Sequence, residues 1–113
     1  MEHELKLQPK YYEYMLNGTK RIEIRLFDEK RQQISIGDTI KFLNEAELTE
    51  NFKVKIIGLL RYNSIEDMFN DFDISVLADK SMTKEELMQV LEQFYTKEKQ
   101  KQYGVLGIRI ELL

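Results

Sequence analysis

Between Gly18 and Leu26 the sequence reads Gly-Thr-Lys-Arg-Ile-Glu-Ile-Arg-Leu, with charged and apolar residues alternating from Arg21 onward. On an extended strand successive side chains point to opposite faces, so Ile22, Ile24 and Leu26 share one face and Arg21, Glu23 and Arg25 the other. Lys20 stands beside them. A cation, a carboxylate and a guanidinium in one small volume can grip a phosphate or polarise a carbonyl. Glu23, if it faces inward, is costly to bury without such partners. An inter-strand ion pair with a purely structural role is the competing reading.

Composition sharpens what these residues are asked to do. The chain has 113 residues, 42% hydrophobic and 33% charged, the proportions of one globular domain. It has no cysteine and one histidine, His3, near a terminus expected to fray. Thiolate chemistry, disulfides and histidine catalysis are therefore set aside. No apolar run approaches the ~20 residues that span a bilayer, and the first ten residues lack the apolar core of a signal peptide. A cytoplasmic protein with no membrane association is the expectation. The formal charge is −3, which argues against broad electrostatic attraction to nucleic acid. The positional distribution differs. Residues 20–31 carry five cations against three carboxylates, and residues 97–101 three lysines against Glu98. Two positive stretches on an otherwise acidic chain permit a local anion site, with solvated charged faces as the alternative.

The elements that must position these residues follow from periodicity. A short strand over Glu4–Leu7 precedes a helix from Pro9 to about Asn17, with Tyr12, Met15 and Leu16 on one face and Asn17-Gly18 as its stop. After the strand at Arg21–Leu26 comes a charged loop from Phe27 to Gln33. Ile34–Phe42 then turns a corner at Gly37-Asp38 into a third strand, and Phe52–Tyr62 forms a fourth. Helices are expected at Ser64–Asp71 and from Thr83, where Thr83 and Glu86 make a capping box and Leu87, Val90, Leu91 and Phe94 form one apolar stripe. A helical turn over Thr96–Gln102 leads through Tyr103-Gly104 to a last strand, Val105–Leu112. The order indicates an α+β fold, a small curved sheet or partly closed barrel of about five strands with helices across its openings. The six tyrosines are candidates for base stacking or for core packing. Gly104 and Gly107 mark either a bulge or a close approach. The acidic segment Glu66–Asp79 is a possible surface for a protein partner.

Gly18-x-Lys20-x-x-Glu23-x-Arg25 resembles the GxKxxExR signature of the ASCH domain, and the resemblance extends through Gly37-Asp38 to Tyr103-Gly104-Val105-Leu106-Gly107-Ile108. It spans nearly the whole chain as one domain. It implies a PUA-like fold and a cleft that binds RNA or a modified nucleoside, with no cofactor and no metal assigned. Gly18 would be the turn glycine and Lys20, Glu23 and Arg25 the charged members of the cleft, approached by Glu98 and Tyr103. One branch of the family resembles amidohydrolases acting on N4-acetylcytidine through a lysine, a threonine and a glutamate. Here Lys20 keeps the lysine, Glu23 stands in the threonine position, and Lys80 falls near the glutamate. Lys20 and Glu23 would be the catalytic pair, with Thr19 or Thr39 as alternative hydroxyls. A metal-assisted ribonuclease has Asp28, Glu29 and Asp38 as its only candidates.

Overall fold

A computed structural model describes residues 1–113. Five strands form one mixed sheet: β1 (Glu2–Leu7), β2 (Ile22–Leu26), β3 (Thr39–Asn44), β4 (Glu47–Tyr62) and β5 (Val105–Leu112). Their spatial order is β1-β3-β4-β5-β2; β1 and β3 run parallel and every other pair antiparallel. The sheet curls into a half-barrel, the α+β architecture expected from the element order. Five helices pack on it: α1 (Pro9–Leu16), α2 (Ile65–Asp71), α3 (Ile74–Leu77), α4 (Lys84–Glu92) and α5 (Lys97–Tyr103). None is long and apolar enough to cross a membrane.

Alternation in β5 assigns its two faces. Leu106, Ile108 and Ile110 enter one core with Leu5, Leu7, Tyr12, Met15, Ile40, Phe42, Val54 and Ile56. Val105 enters a second core built from Ile22 and Ile24 of β2 and the apolar sides of α2, α3 and α4. The helices therefore cover the face of β2 that carries its isoleucines, and Glu23 and Arg25 take the other.

Several expectations are corrected. Leu16 is exposed at the end of α1, and Tyr12 and Met15 carry the buried face. Arg21 precedes β2, is exposed, and uses its backbone to bond Val76 and Ile110. It does not join Glu23 and Arg25. His3 is held, since its Nε2 lies 2.8 Å from Asp38 Oδ2 in the corner that leads into β3. Gly104 is the left-handed stop of α5, at φ +76°. Gly107 is a close approach: a Cβ there would lie 2.8 Å from Met68 Cε. The segment 66–79 turns Met68, Phe69 and Leu77 into the second core and leaves Glu66, Asp67, Asp71 and Asp73 exposed, so its acidic surface is not covered within the fold.

Candidate functional site

Gly18 opens the site. Its φ of +85° lets the chain reverse after α1. The Lys20 amide then donates to Tyr14 O at 2.8 Å and the Arg21 amide to Val76 O at 2.9 Å, so the turn is fastened to α1 on one side and α3 on the other. This directs the Lys20 side chain inward, where only 4% of the residue is exposed.

Lys20 Nζ donates to Ile22 O at 2.5 Å and Leu77 O at 2.7 Å, and lies 3.5 Å from Glu23 Oε1. These three contacts occupy the three donors of an ammonium. Glu23, 5% exposed, is as fully engaged. Oε1 also accepts from the Ile24 amide, and Oε2 accepts from Arg25 Nε and Nη2 at 3.0 and 2.8 Å. Burial acts against each charge, and the cluster answers it differently at each residue. For Lys20 burial wins, and the ammonium falls below its ordinary value although Glu23 opposes the shift. Burial would raise the Glu23 carboxyl, but Arg25, Lys20 and the Ile24 N–H together bring it below the usual range. Burial would lower Arg25, and Glu23 overcomes it and raises the guanidinium.

Arg25 also reaches across the open side of the half-barrel. Its Nη2 donates to Lys6 O on β1 at 2.8 Å, although β1 and β2 share no ladder. Along this seam lies a cleft of about 400 Å³. Its charged wall carries Lys6, Lys20, Glu23, Arg25, Arg31 and Glu45. The facing wall is apolar and comes from α4 and the turn after it: Leu87, Val90, Leu91, Phe94 and Tyr95, with Tyr11 of α1 also lining the cleft. The apolar stripe predicted for α4 thus serves two surfaces: Leu87 belongs to the second core and borders the cleft as well, and the stripe runs on along the cleft to Phe94, 52% exposed.

The structure brings together Lys20, Glu23 and Arg25 and leaves the other expected residues elsewhere. Gly18 shapes the turn without lining the cleft. Tyr103 lines a separate polar groove of about 750 Å³ with Tyr62, Arg61, Lys97 and Lys101, while Glu98 is exposed on α5 and lines neither. The two positive stretches therefore face different depressions. Thr19, Thr39 and Lys80 do not line the cleft. No three histidine, aspartate or glutamate side chains converge as metal ligands would, and Asp28 is committed to Arg31, at 3.2 Å. Sequence reasoning missed the α4 wall as a site component, and held Arg31 only as one cation of a positive stretch and Tyr95 only as one of six stacking candidates. Arg31 sits on a single 3₁₀ turn, Arg31–Gln33, where no periodicity assigns a face.

The sequence profile of the ASCH domain matches residues 5–113. No curated protein matches the sequence. Among solved structures, the chain is similar to the hypothetical protein PH0355, at 40% identity over 100% of both chains and a TM-score of 0.86. It is similar to protein PF0455 from Pyrococcus furiosus, solved by NMR, at 39% identity, 100% coverage of this chain and 98% of that one, and a TM-score of 0.78. A variant of ZmASCH from Zymomonas mobilis shares the fold alone, at 8% identity, with 97% of this chain and 67% of that one covered and a TM-score of 0.70. With the profile covering nearly every residue, and Lys20, Glu23 and Arg25 of the signature gathered at one seam behind the Gly18 turn, this chain belongs to the ASCH domain family.

Proposed function

We propose that the seam cleft binds single-stranded RNA or a nucleoside of RNA, in the cytoplasm, and that Arg25 is its principal polar contact. The observation that carries this reading is the pairing of a buried ion cluster with a facing apolar wall. A nucleobase has flat apolar faces and a polar edge, and such a cleft meets both at once. Val90, Leu91 and the exposed Phe94 offer a surface for the ring. Arg25 offers the polar contact, because Nη1 is the one guanidinium nitrogen not held by Glu23 or Lys6. Lys20 and Glu23, whose bonding capacity is used within the chain, hold Arg25 in place. Binding is favoured over hydrolysis because no serine, threonine, cysteine or histidine lines the cleft and Glu23 is fully hydrogen-bonded.

Titration of the protein with short single-stranded RNAs and with cytidine and uridine, followed by chemical shift changes, tests the reading. Phe94→Ala removes a surface ring without disturbing the core. It is expected to weaken binding about tenfold, the effect of losing one stacked base at ~1–3 kcal/mol. Absence of binding to the parent protein at millimolar ligand would overturn the proposal.

A further inference from the structure

Arg31 lies outside the signature and belongs to a loop with no sequence pattern, yet it lines the same cleft as Arg25. Its Nη1 pairs with Asp28 Oδ2 at 3.2 Å. Its Nε is buried and has no acceptor, alone among the buried side-chain nitrogens and oxygens of the chain. A buried donor without a partner is destabilising, and the Nε is closed to solvent; of the same guanidinium, Nη2 is the nitrogen that neither Asp28 nor burial takes up. Tyr95 lines the cleft as well. Burial raises its phenol, and the charges of Arg25 and Arg31 oppose that shift while Glu23 and Asp28 add to it.

The cleft is thus rich in donors and poor in free acceptors. Glu23 has none left and Asp28 is taken by Arg31, which leaves the exposed Glu45 as the one lining carboxylate without a partner. Its charge is also specific. Lys6, Lys20, Arg25 and Arg31 face Glu23, Glu45 and the Asp28 bound to Arg31, which leaves a single positive charge in excess. One uncompensated cation suits a singly charged group better than the nearly dianionic terminal phosphate of a mononucleotide.

We infer that Arg25 and Arg31, with the Tyr95 hydroxyl, form a subsite for one phosphodiester group, so that the cleft takes an internal linkage of an RNA strand rather than a free mononucleotide. Arg31 is a binding residue in this assignment, and its Nη2, which no hydrogen bond within the chain holds, is the donor that meets the bound oxygen. The inference rests on the reading of the cleft as an RNA site.

The test compares a ribodinucleoside monophosphate with its methylphosphonate analogue, which keeps both bases and sugars but has a neutral linkage. The parent protein is expected to bind the diester at least tenfold more tightly. Arg31→Gln is expected to lower diester affinity tenfold or more, to narrow the gap between the two ligands, and to leave the melting temperature within a few degrees of the parent. Arg31→Lys keeps the charge but lacks the planar guanidinium that holds Asp28 and the ligand at once, and a loss of threefold or more is expected. Equal affinity for the neutral linkage, or undiminished diester binding by the Arg31 variants, would overturn the assignment. The linkage comparison on the parent protein decides the question even if a variant fails to fold. Where single-stranded RNA binds but the neutral linkage binds equally well, only the phosphodiester subsite falls. Where no RNA binds at all, the RNA reading of the cleft falls first and the subsite with it.

Discussion

Glu23 is the residue on which the site's charge depends. It is the shared counter-charge of Lys20 and Arg25. Removing one partner of a buried ion pair is far more damaging than the pair is stabilising, since the remaining charge keeps its desolvation cost and loses its compensation. Glu23→Ala strands two cations at once and is expected to destabilise the fold by about 3–5 kcal/mol, the range for breaking a buried pair, seen as a lower urea midpoint. A change under ~1 kcal/mol would show that the cluster is more solvated than its burial indicates. Much of this residue pattern is legible in the sequence. Strand alternation predicts that Glu23 and Arg25 share a face, and the signature groups them with Lys20. What alternation does not give is the valence of each group. Leu77 O, which accepts a hydrogen bond from Lys20, comes from a helix far along the chain. Lys20 therefore reads as a ligand contact in the sequence and is a bound internal cation in the fold.

At the scale of elements, the Gly37-Asp38 corner shows how one short motif fastens two strands. Asp38 accepts from the Ser35 amide, pairs with His3 of β1, and lies 3.2 Å from the terminal ammonium. Led by the His3 contact, these partners lower its pKa from 3.8 to about 2. A carboxylate depressed in the folded state contributes stability that is fully present above its unfolded pKa, and this is lost as pH falls through the folded value. The contribution of Asp38 is therefore complete above about pH 4 and gone below about pH 2. Melting temperatures of the parent and of Asp38→Asn are expected to differ at pH 5 and to converge near pH 2; a constant difference across that interval would show that Asp38 acts through packing alone. The corner itself is evident from its Gly-Asp pair, but the parallel pairing of β1 with β3 that brings His3 to it is not. Helix α4 teaches the converse. Its stripe is read correctly as apolar, yet the helix ends at Glu92, and Phe94 beyond it faces a cleft instead of a core. Periodicity identifies an apolar face but not whether protein or ligand will cover it.

For the whole molecule, the net charge of −3 and the local excess at the seam act together. Few phosphates can reach so small a patch, and Lys97 and Lys101 of α5 face another groove. For single strands, the logarithm of affinity falls with the logarithm of salt at about 0.7 per phosphate neutralised. A slope of about −1 is expected for RNA binding between 50 and 200 mM salt as approximate working limits. A slope near −4 would place the α5 lysines on the RNA path. The half-barrel itself follows from the element order, but its seam does not, since β1 and β2 meet without a ladder and only the Arg25 bond to Lys6 O joins them.

Strand β2 has one neighbour in the sheet, β5, and Ile22 pairs there with Arg109. The cluster-bearing strand thus lies beside the last strand of the chain, across nearly its whole length. Contacts so distant in sequence require closure of a long loop before they contribute, and such pairings form slowly. During synthesis, β1, β3 and β4 can assemble while β2 still lacks its only partner. A chain cut short before Val105 would leave β2 without its partner strand, and is expected to carry the complete signature without a site.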